Sequence, residues 1–267
     1  MMWTTRPRSE GAGALAYFAH GDGPPLVLIH GVGLRAEAWC GVMPELADQH
    51  RVLCIDMPGH GASGQEGTRT LDDFVGRVVA FVDALVGPVY LAGHSMGALL
   101  SIEVAARLPE KVRAVAALNT VYQRSPDAAR AVVARAEALT GAELSDPTPT
   151  LARWFGEQPQ GAEAACAAAC RDWLTTGNKE GYAAAYRVFA QTDGPGDASL
   201  QSLSCPALYL TGSDDPNSTP AMSHALAAVT AFGQAVVLQD AAHMLPMTHP
   251  QQVATQLTQF FHAPRNA

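Results

Sequence analysis

The sequence predicts an α/β fold: a mostly parallel sheet with helices on both faces and a helical lid inserted after the sixth strand. Three observations predict it. Short apolar, β-prone runs alternate with amphipathic helical stretches, as in strands joined by right-handed crossovers. One such run, residues 89–92, turns into helical composition at a serine flanked by glycines. The alternation then stops at about residue 121 and resumes near residue 206. We therefore expect a core of residues 1–120 and 200–267 and a lid of residues 121–199.

Composition and charge limit the class of partner. The 267 residues are 48% apolar and 16% charged, which suits a soluble globule with a large core. A net charge of −8, without a lysine and arginine cluster, argues against nucleic acid and anionic membranes. The first residues lack the apolar centre of a signal peptide, and no window approaches the roughly 18 apolar residues of a spanning helix. We expect a cytoplasmic protein, monomeric or homodimeric, that acts on a small molecule.

The cysteines indicate reduced thiols rather than a disulfide framework. There are five of them, an odd number, scattered along the chain. Cys166 and Cys170 are spaced to face one another on a helix. Because alanines surround them and no histidine is near, we expect small packing residues rather than a metal pair. We expect no metal and no cofactor.

The first half of the chain contains the strands that lead to the serine. Residues up to about 20 predict a hairpin at the sheet edge, and Thr70 with Asp73 has the spacing of a capping box. We predict buried strands over residues 26–29, 52–55, 89–92 and 112–118, and helical or amphipathic stretches over 37–48, 74–86 and 98–106. Ligands bind at the carboxyl ends of such strands. His30-Gly31, Ser95 and Asn119-Thr120 lie at those ends.

The second half contains the predicted lid and the end of the sheet. No strand pattern occurs between residues 125 and 191, where we predict helices over residues 127–139, 151–155, 162–174 and 180–190. This insertion is too small and too rich in alanine to hold a core of its own, so it should lie on the main domain. Strands over residues 206–211 and 235–238 and helices over residues 220–231 and 250–261 complete the sheet.

The serine has the setting of a nucleophile. In Gly93-x-Ser95-x-Gly97 a strand turns sharply into a helix, which exposes the turn residue in a strained conformation. The N-terminus of that helix favours developing negative charge. A serine hydroxyl also needs a base and a third group that orients the base. The alternative is a glycine-rich turn with an idle serine.

His243 is the predicted base because it lies in the loop after the last strand. We expect His94 to point away and His30 and His60 to hold glycine-rich loops together. The remaining histidines should lie on the surface: His20, His50, His224, His249 and His262.

Asp215 is the predicted acid, and its neighbour Asp214 is the rival. Along the chain, the order Ser95, Asp215, His243 is the order of nucleophile, acid and base expected of a fold in which a strand-to-helix turn carries the nucleophile. Adjacent acids usually point in opposite directions, so only one can meet the imidazole. We expect Asp240, which is close to His243 in sequence, to serve a turn.

Backbone amides should hold the oxyanion. One is the amide of Met96, the residue after the nucleophile. The other comes from the loop after residues 26–29, with Val32 as the first candidate and Gly33 next. The alternative is that this loop is only a turn.

These motifs together resemble the α/β-hydrolase fold over nearly the whole chain. The resemblance rests on His30-Gly31, Trp39, Asp56-x-Pro58-Gly59-His60-Gly61-x-Ser63, Gly93-His94-Ser95-Met96-Gly97, Gly212-x-x-Asp215 and His243. It implies a serine hydrolase that needs no cofactor. Haloalkane dehalogenases and epoxide hydrolases of this fold use an aspartate on the elbow, so Ser95 argues against them.

The lid is similar to that of 3-oxoadipate enol-lactonases, which hydrolyse the ring ester of a small dicarboxylate. The similar residues are Arg153-Trp154-Phe155, Glu180-Gly181-Tyr182-Ala183-Ala184 and Asp193. We expect Arg153 to clamp a substrate carboxylate, unless it forms a surface salt bridge. Trp154, Phe155 and Tyr182 should line the pocket, unless they only pack the lid onto the core.

The resulting hypothesis is a Ser-His-Asp hydrolase of a small ester or lactone, in particular an enol-lactone of a dicarboxylic acid. Two other functions stay open. One is hydrolysis of a C–C or amide bond by the same triad, as in the meta-cleavage hydrolases. The other is a ligand-sensing protein that retains the triad but barely turns over.

Overall fold

A computed structural model describes residues 3–139 and 146–263 of the chain. Within them, eight strands form one sheet with the order β1-β2-β4-β3-β5-β6-β7-β8. The strands are β1 Ser9–Gly11, β2 Leu15–His20, β3 Pro25–Ile29, β4 Arg51–Ile55, β5 Val89–His94, β6 Val112–Leu118, β7 Ala207–Gly212 and β8 Gly233–Leu238. The hairpin of β1 and β2 is antiparallel and lies at one edge, and β3 to β8 run parallel. The predicted mostly parallel sheet is confirmed.

Helices cover both faces of the sheet. They are α1 Met43–Leu46, α2 Leu71–Asp83, α3 Met96–Arg107, α4 Pro126–Ala138, α5 Thr148–Phe155, α6 Gly161–Thr176, α7 Lys179–Gln191, α8 Asp197–Ser202, α9 Pro220–Val229, α10 Leu245–Thr248 and α11 Pro250–His262, with short 3-10 turns over Ala12–Ala14 and Ala36–Trp39. None of the described helices is both long enough and apolar enough to cross a membrane.

The strands are continuously apolar because each of them is covered on both faces. Along β3, Val27 and Ile29 belong to one apolar cluster, while Leu26 and Leu28 belong to another on the opposite side. All four side chains are fully buried. This is the period of two expected of a strand between two layers of helices.

The capping box at the start of α2 is confirmed. The hydroxyl of Thr70 accepts from the amide of Asp73 at 3.2 Å, and the Asp73 carboxylate accepts from the amide of Thr70 at 2.8 Å. Two amides of the first turn are thereby satisfied, which is why the helix begins at Leu71, three residues before the predicted start.

The insert, residues 121–199, lies between β6 and β7 and contains α4 to α7 and the start of α8. Residues 140–145 of the insert lie outside the described residues. No strand occurs in the described part of residues 125–191, as expected. Trp173 and Tyr182 are buried in the same cluster as the sheet and α3. The insert therefore packs on the core domain, apart from a small cluster of Val132, Ala136 and Ala190.

Several expectations need correction. Residues 37–48 are not one amphipathic element, because Pro44 interrupts the amide pattern and the stretch divides into a 3-10 turn and α1. Helices α8 and α10 were not predicted, since four to six residues show no periodicity. His50 is buried rather than exposed, and its ring lies 4.9 Å from that of Tyr90.

All five cysteines are buried. The thiol of Cys166 contacts the carbonyl of Met247 at 3.4 Å, and that of Cys170 lies 3.6 Å from the Met247 sulfur. Burial raises the pKa of both thiols. Their surroundings are those of packing residues, as expected.

Candidate active site

Ser95 occupies a strained turn between β5 and α3. Its backbone is left-handed, with φ 56° and ψ −117°. A Cβ on Gly93 would lie 2.0 Å from the carbonyl oxygen of Gly97, and one on Gly97 would lie 2.3 Å from that of Ile29. Only glycine allows the strand and the helix to approach this closely. The turn is therefore held in shape by its neighbours, and Ser95 lines a cavity.

His243 and Asp215 form a buried pair beside the same cavity. The Nδ1 of His243 lies 2.8 Å from the Oδ2 of Asp215, and both side chains are less than a tenth exposed. A carboxylate accepts, so the proton of the neutral ring lies on Nδ1 and Nε2 is left with its lone pair. His243 lines the cavity together with Ser95. The arrangement can remove a proton from a group in the cavity.

The structure separates the two candidate acids. Asp214 is exposed, and its carboxylate accepts from the hydroxyl of Ser213 at 3.0 Å. Asp215 is buried and accepts from His243, from Asn119 Nδ2 at 2.8 Å and from the amides of Asn217 and Ser218. Burial raises the pKa of Asp215, but the charge and hydrogen bond of His243 and the other donors outweigh it and keep that pKa below its ordinary value.

Asp240 lies in a turn, as expected, with φ 54° and its amide bonded to the Ser213 hydroxyl. His94 differs from expectation, because it does not point away from the site. Its Nε2 donates to the backbone carbonyl of His243 at 2.8 Å, and the two rings lie 5.1 Å apart. Burial and the neighbouring His243 lower the pKa of His94 to about 3. A neutral His94 thus anchors the loop that carries His243.

His30 and His60 tie the loop after β3 to the loop after β4. The Nε2 of His30 accepts from the Met57 amide, and its Nδ1 donates to the carbonyl of Gly31 at 2.7 Å. The Nε2 of His60 accepts from the Gly33 amide at 3.0 Å. Burial lowers the pKa of His30 to about 3, and burial also lowers the pKa of His60, so both rings stay neutral acceptors. The Gly33 amide is consequently engaged.

The cavity of about 440 Å³ is lined mainly by the insert. Arg153, Trp154 and Tyr182 line it, whereas Phe155 does not. Phe155 is buried instead and belongs to the large hydrophobic cluster that also contains Cys166, Cys170 and Trp173 of α6. Val32 lines the cavity, and Met96 begins α3 directly after Ser95.

Three guanidinium groups line the cavity, those of Arg124, Arg135 and Arg153, whereas none of its lining residues within the described part of the chain is an aspartate or glutamate. Arg124 pairs with Asp193 at 3.4 Å and lies over the ring of Phe189. Arg135 and Arg153 form no ion pair with a described carboxylate.

Within residues 3–139 and 146–263, the hydrogen bonds of the Arg135 and Arg153 side chains go to neutral hydroxyl groups. Arg135 Nε donates to the hydroxyl of Tyr186 at 3.1 Å, and Arg153 donates to that of Thr150 at 2.9 Å. Burial and the nearby charge of Arg135 lower the pKa of Arg153. Two like charges that lie near each other repel, and an anion between them would be favourable.

Comparison with known proteins agrees with this geometry. Residues 26–256 match the family model described as the alpha/beta hydrolase family. The chain belongs to this family. The predicted α/β-hydrolase fold and the prediction of a hydrolase are confirmed.

The relatives and similar structures of this α/β hydrolase include hydrolases of different named substrates. The chain is 43% identical over 239 residues to (E)-2-((N-methylformamido)methylene)succinate hydrolase of Acinetobacter baylyi, which covers 89% of the chain and 90% of that relative. It is 31% identical to a pimeloyl-[acyl-carrier protein] methyl ester esterase of Stenotrophomonas maltophilia, over 90% of the chain and 93% of the relative. The enol-lactonase of Burkholderia xenovorans has a similar structure, with a TM-score of 0.83, 27% identity and coverage of 95% of this chain and 99% of that chain. The predicted resemblance to enol-lactonases is confirmed.

Sequence reasoning missed several residues of the cavity. Arg124, Arg135, Tyr186 and Phe189 line it and were not predicted to do so. A signal for Arg135 existed, since residues 128, 131, 132 and 135 share one face of α4 by their helical spacing, and all four line the cavity. The position of that face relative to Ser95 depends on how the insert folds back, which helical spacing alone does not encode.

Proposed function

We propose that this α/β hydrolase cleaves a small substrate with two carboxylates by a Ser-His-Asp mechanism. The observation that carries the proposal is the charge of the cavity. Among the described residues, three arginines and no acid line the space that Ser95 and His243 share, in a chain whose net charge is −8. Arginine charges that are partly removed from water are costly unless an anion joins them, and a guanidinium fork fits a carboxylate.

The charge count favours a dianion. Asp193 already neutralises Arg124, which leaves Arg135 and Arg153. A substrate with one carboxylate for each guanidinium would balance the pair. Each charge-assisted contact is worth about 1.5–3 kcal/mol, a factor of about ten to a hundred in affinity.

In the proposed reaction Ser95 Oγ attacks the acyl carbon while His243 Nε2 takes its proton. Asp215 orients the imidazole and stabilises the imidazolium. The tetrahedral oxyanion accepts from the amides of Val32 and Met96. Collapse breaks the bond to the leaving group, which receives the proton from His243. Water then attacks the acyl-enzyme with His243 as base, which releases the acid and restores Ser95.

The orientation of the peptide units supports these two amides. The carbonyl of Gly31 accepts from His30 and from the Leu34 amide at 3.2 Å. In a planar trans peptide the N–H points opposite to the C=O, so the amide of Val32 points away from those donors. The carbonyl of Ser95 likewise accepts within α3, from Ala98 at 3.0 Å, and the Met96 amide points the other way. The Gly33 amide, engaged by His60, is the weaker candidate.

For the bond cleaved, we favour the acyl–nitrogen bond of an N-acylaminomethylene dicarboxylate over the enol-lactone. The support is relative similarity: 43% identity to the methylenesuccinate hydrolase against 27% to the enol-lactonase. Both substrates are small and ionised, so the cavity's charge suits either of them. Hydrolysis of a neutral ester or of a C–C bond would leave the two arginines without a function.

The insert is proposed to act as a lid over Ser95. It supplies the arginines and the aromatic side chains that line the cavity, with Trp154 and Tyr182 among them. It also touches the core closely, since a Cβ on Gly181 would lie 2.1 Å from the carbonyl oxygen of Gly59. Exchange of the insert for that of a neutral esterase should change substrate preference more than labelling of Ser95 by a fluorophosphonate.

The test of the proposal is a hydrolysis panel on purified protein. It contains (E)-2-((N-methylformamido)methylene)succinate, an enol-lactone of a dicarboxylic acid and p-nitrophenyl acetate. Wild type should prefer the dicarboxylates, and Ser95→Ala should lose turnover and fluorophosphonate labelling. Wild-type activity in Ser95→Ala would contradict the mechanism. One stoichiometric acylation followed by almost no turnover on all three would favour the sensor instead.

The arginine variants test the substrate class. Arg153→Ala and Arg135→Ala should each raise KM for the dicarboxylates about ten-fold or more, while p-nitrophenyl acetate changes little. Arg153→Lys should rescue only in part, because an ammonium cannot copy the planar fork. Arg130→Ala is the matched control, since Arg130 lies on the same helix as Arg135 but is exposed and pairs with Asp127. Equal effects on acidic and neutral substrates would contradict the dicarboxylate proposal.

A further inference from the structure

Asn119 shares the oxygen of Asp215 that holds the base. It follows β6 directly and is fully buried, and it is not among the residues that line the cavity. Its Nδ2 donates to Asp215 Oδ2 at 2.8 Å, and His243 Nδ1 donates to that same oxygen at 2.8 Å. We propose that Asn119 is a positioning residue of the hydrolase, which sets the orientation of Asp215 and thereby the strength with which Asp215 holds His243. The inference rests on the proposed function.

Asn119 carries two structural costs that a packing role does not explain. Although Asn119 is not a glycine, its backbone at the end of β6 is left-handed, with φ 52°. Its Oδ1 is buried and has no hydrogen-bond partner among the described residues. Rotating the amide by half a turn would not help, because it would bring Oδ1 against the Asp215 carboxylate. Buried strain and an unpaired acceptor at one residue indicate that the donor on Nδ2 is what the site needs.

Ser218, in the loop that carries Asp215, holds Asn119 in this strained position. The hydroxyl of Ser218 donates to the Asn119 carbonyl at 2.7 Å, while the amide of Ser218 donates to Asp215 Oδ1 at 3.1 Å. Nδ2 also lies 3.5 Å from the carbonyl of Ala242, next to His243. Asn119 therefore joins the ends of β6 and β7 and the loop of the base at one point.

The shared oxygen has a predictable effect on the base. Oδ2 divides its negative charge between two donors, so its attraction for a protonated imidazole is weaker than it would be with His243 as its sole donor. Without Asn119, Asp215 would attract a protonated imidazole more strongly, so full activity of the enzyme should require a higher pH. Asp215 would also lose one of the contacts that fix its rotamer.

Asn119→Leu removes the donor and keeps the size of the side chain. We expect kcat for p-nitrophenyl acetate to fall about ten-fold or more, while KM changes less than about two-fold because Asn119 lies outside the cavity. The acid limb of the pH profile of kcat/KM should move upward by about half a pH unit or more. The rate of inactivation by a fluorophosphonate should show the same displacement, since it also depends on activation of Ser95.

Asn119→Asp separates hydrogen-bond donation from packing. Its size is almost unchanged, but an ionised carboxylate would face Oδ2 of Asp215, and repulsion between the two carboxylates delays loss of the second proton to higher pH. The protonated form donates as the amide does. Activity should therefore approach wild type at low pH and fall as the pH rises and the new carboxyl loses its proton. This variant also decides the matter if Asn119→Leu does not fold.

Tyr209→Phe is the control for a general loss of stability. Tyr209 is buried on β7 and its hydroxyl bonds that of Thr230 at 2.7 Å, away from the acid. It should unfold at lower temperature than wild type while its pH profile stays in place. An unchanged acid limb and kcat in a folded Asn119→Leu, or a wild-type profile in Asn119→Asp, would overturn the inference. If the proposed function itself were wrong, that would show separately, because Ser95→Ala would keep its activity.

Discussion

Replacing Arg8 by alanine should destabilise the protein far more than removing any exposed ion pair. Arg8 precedes β1 and binds two acids at once. Its guanidinium lies 2.7 Å from Glu37 Oε2 and 2.8 Å from Asp56 Oδ2. The side chains of Glu37 and Asp56 are 1% and 0% exposed, so Arg8 is the cation that compensates two carboxylates removed from water.

The magnitude follows from what the variant leaves behind. Removing one partner of a buried ion pair costs about 3–5 kcal/mol, because the remaining charge cannot be hydrated. Some compensation survives, since Asp56 also accepts from the amides of Ala36 and Ala62. At about 2–4 °C per kcal/mol for a chain of this size, we expect the melting temperature to fall by about 6–20 °C.

The pH dependence has a defined sign. Burial raises the pKa of Asp56, but the hydrogen bond of Arg8, the nearby His30 and the amide of Ala62 outweigh it and hold that pKa below its ordinary value. A depressed folded-state pKa contributes stability above the unfolded-state value of about 3.9, and that contribution is lost as the pH falls through the folded-state value. In Arg8→Ala the pKa of Asp56 rises, so acid unfolding should begin at higher pH than in wild type.

Scanning calorimetry from pH 3 to 8 measures both effects. Arg107→Ala is the control, because Arg107 pairs with Asp72 in a bridge whose side chains are 39% and 79% exposed. Its cost should stay below about 1 kcal/mol. If Arg8→Ala and Arg107→Ala lower the melting temperature equally, Glu37 and Asp56 are compensated by other groups and the reasoning is wrong.

Three further predictions concern the fold. Gly97→Ala should prevent correct formation of the elbow, since its Cβ would meet the backbone of Ile29 at 2.3 Å. Gly76→Ala on α2 adds a Cβ that meets nothing within 4 Å, so it should raise the free energy of unfolding by about 0.5–1 kcal/mol. Urea unfolding compares the two variants, and equal effects would contradict the geometry. Thr70→Val should cost about 1 kcal/mol by the same assay, through loss of the N-cap. The five buried thiols should react with a disulfide reagent only after denaturation, so rapid labelling of the native protein would contradict their burial.

Local chemistry made part of the site predictable from the sequence. The elbow needs glycine two residues to each side of Ser95, and such a requirement appears in the sequence as a short motif. The same holds for the capping box. It also holds for the strands covered on both faces, because their apolar runs indicate where each strand lies and that the sheet is parallel. His243 could be assigned because one loop after the last strand carries it.

Other parts of the site depend on contacts between distant segments. Asp214 and Asp215 are the same residue type at adjacent positions, so the sequence does not distinguish them. The turn after β7 buries the carboxylate of Asp215 beside His243 and exposes that of Asp214. His94 was expected to point away, because nothing local reveals that the carbonyl of His243, 149 residues later, accepts its proton. Phe155 was expected in the pocket, because the helical face that α5 turns toward the core is set by packing.

The sequence by itself thus determined the fold class, the alternation of the longer strands and helices, the serine elbow and the candidate base, since each depends on residues close together in the chain. Tertiary structure alone decided which side chains share the cavity. It brings Arg135 and Arg153 to one cavity, where no described carboxylate pairs with them, and places Asn119 against Asp215, 96 residues away. The physical reason is that burial and electrostatic partners are properties of the folded chain, whereas propensity and turn chemistry are properties of neighbouring residues.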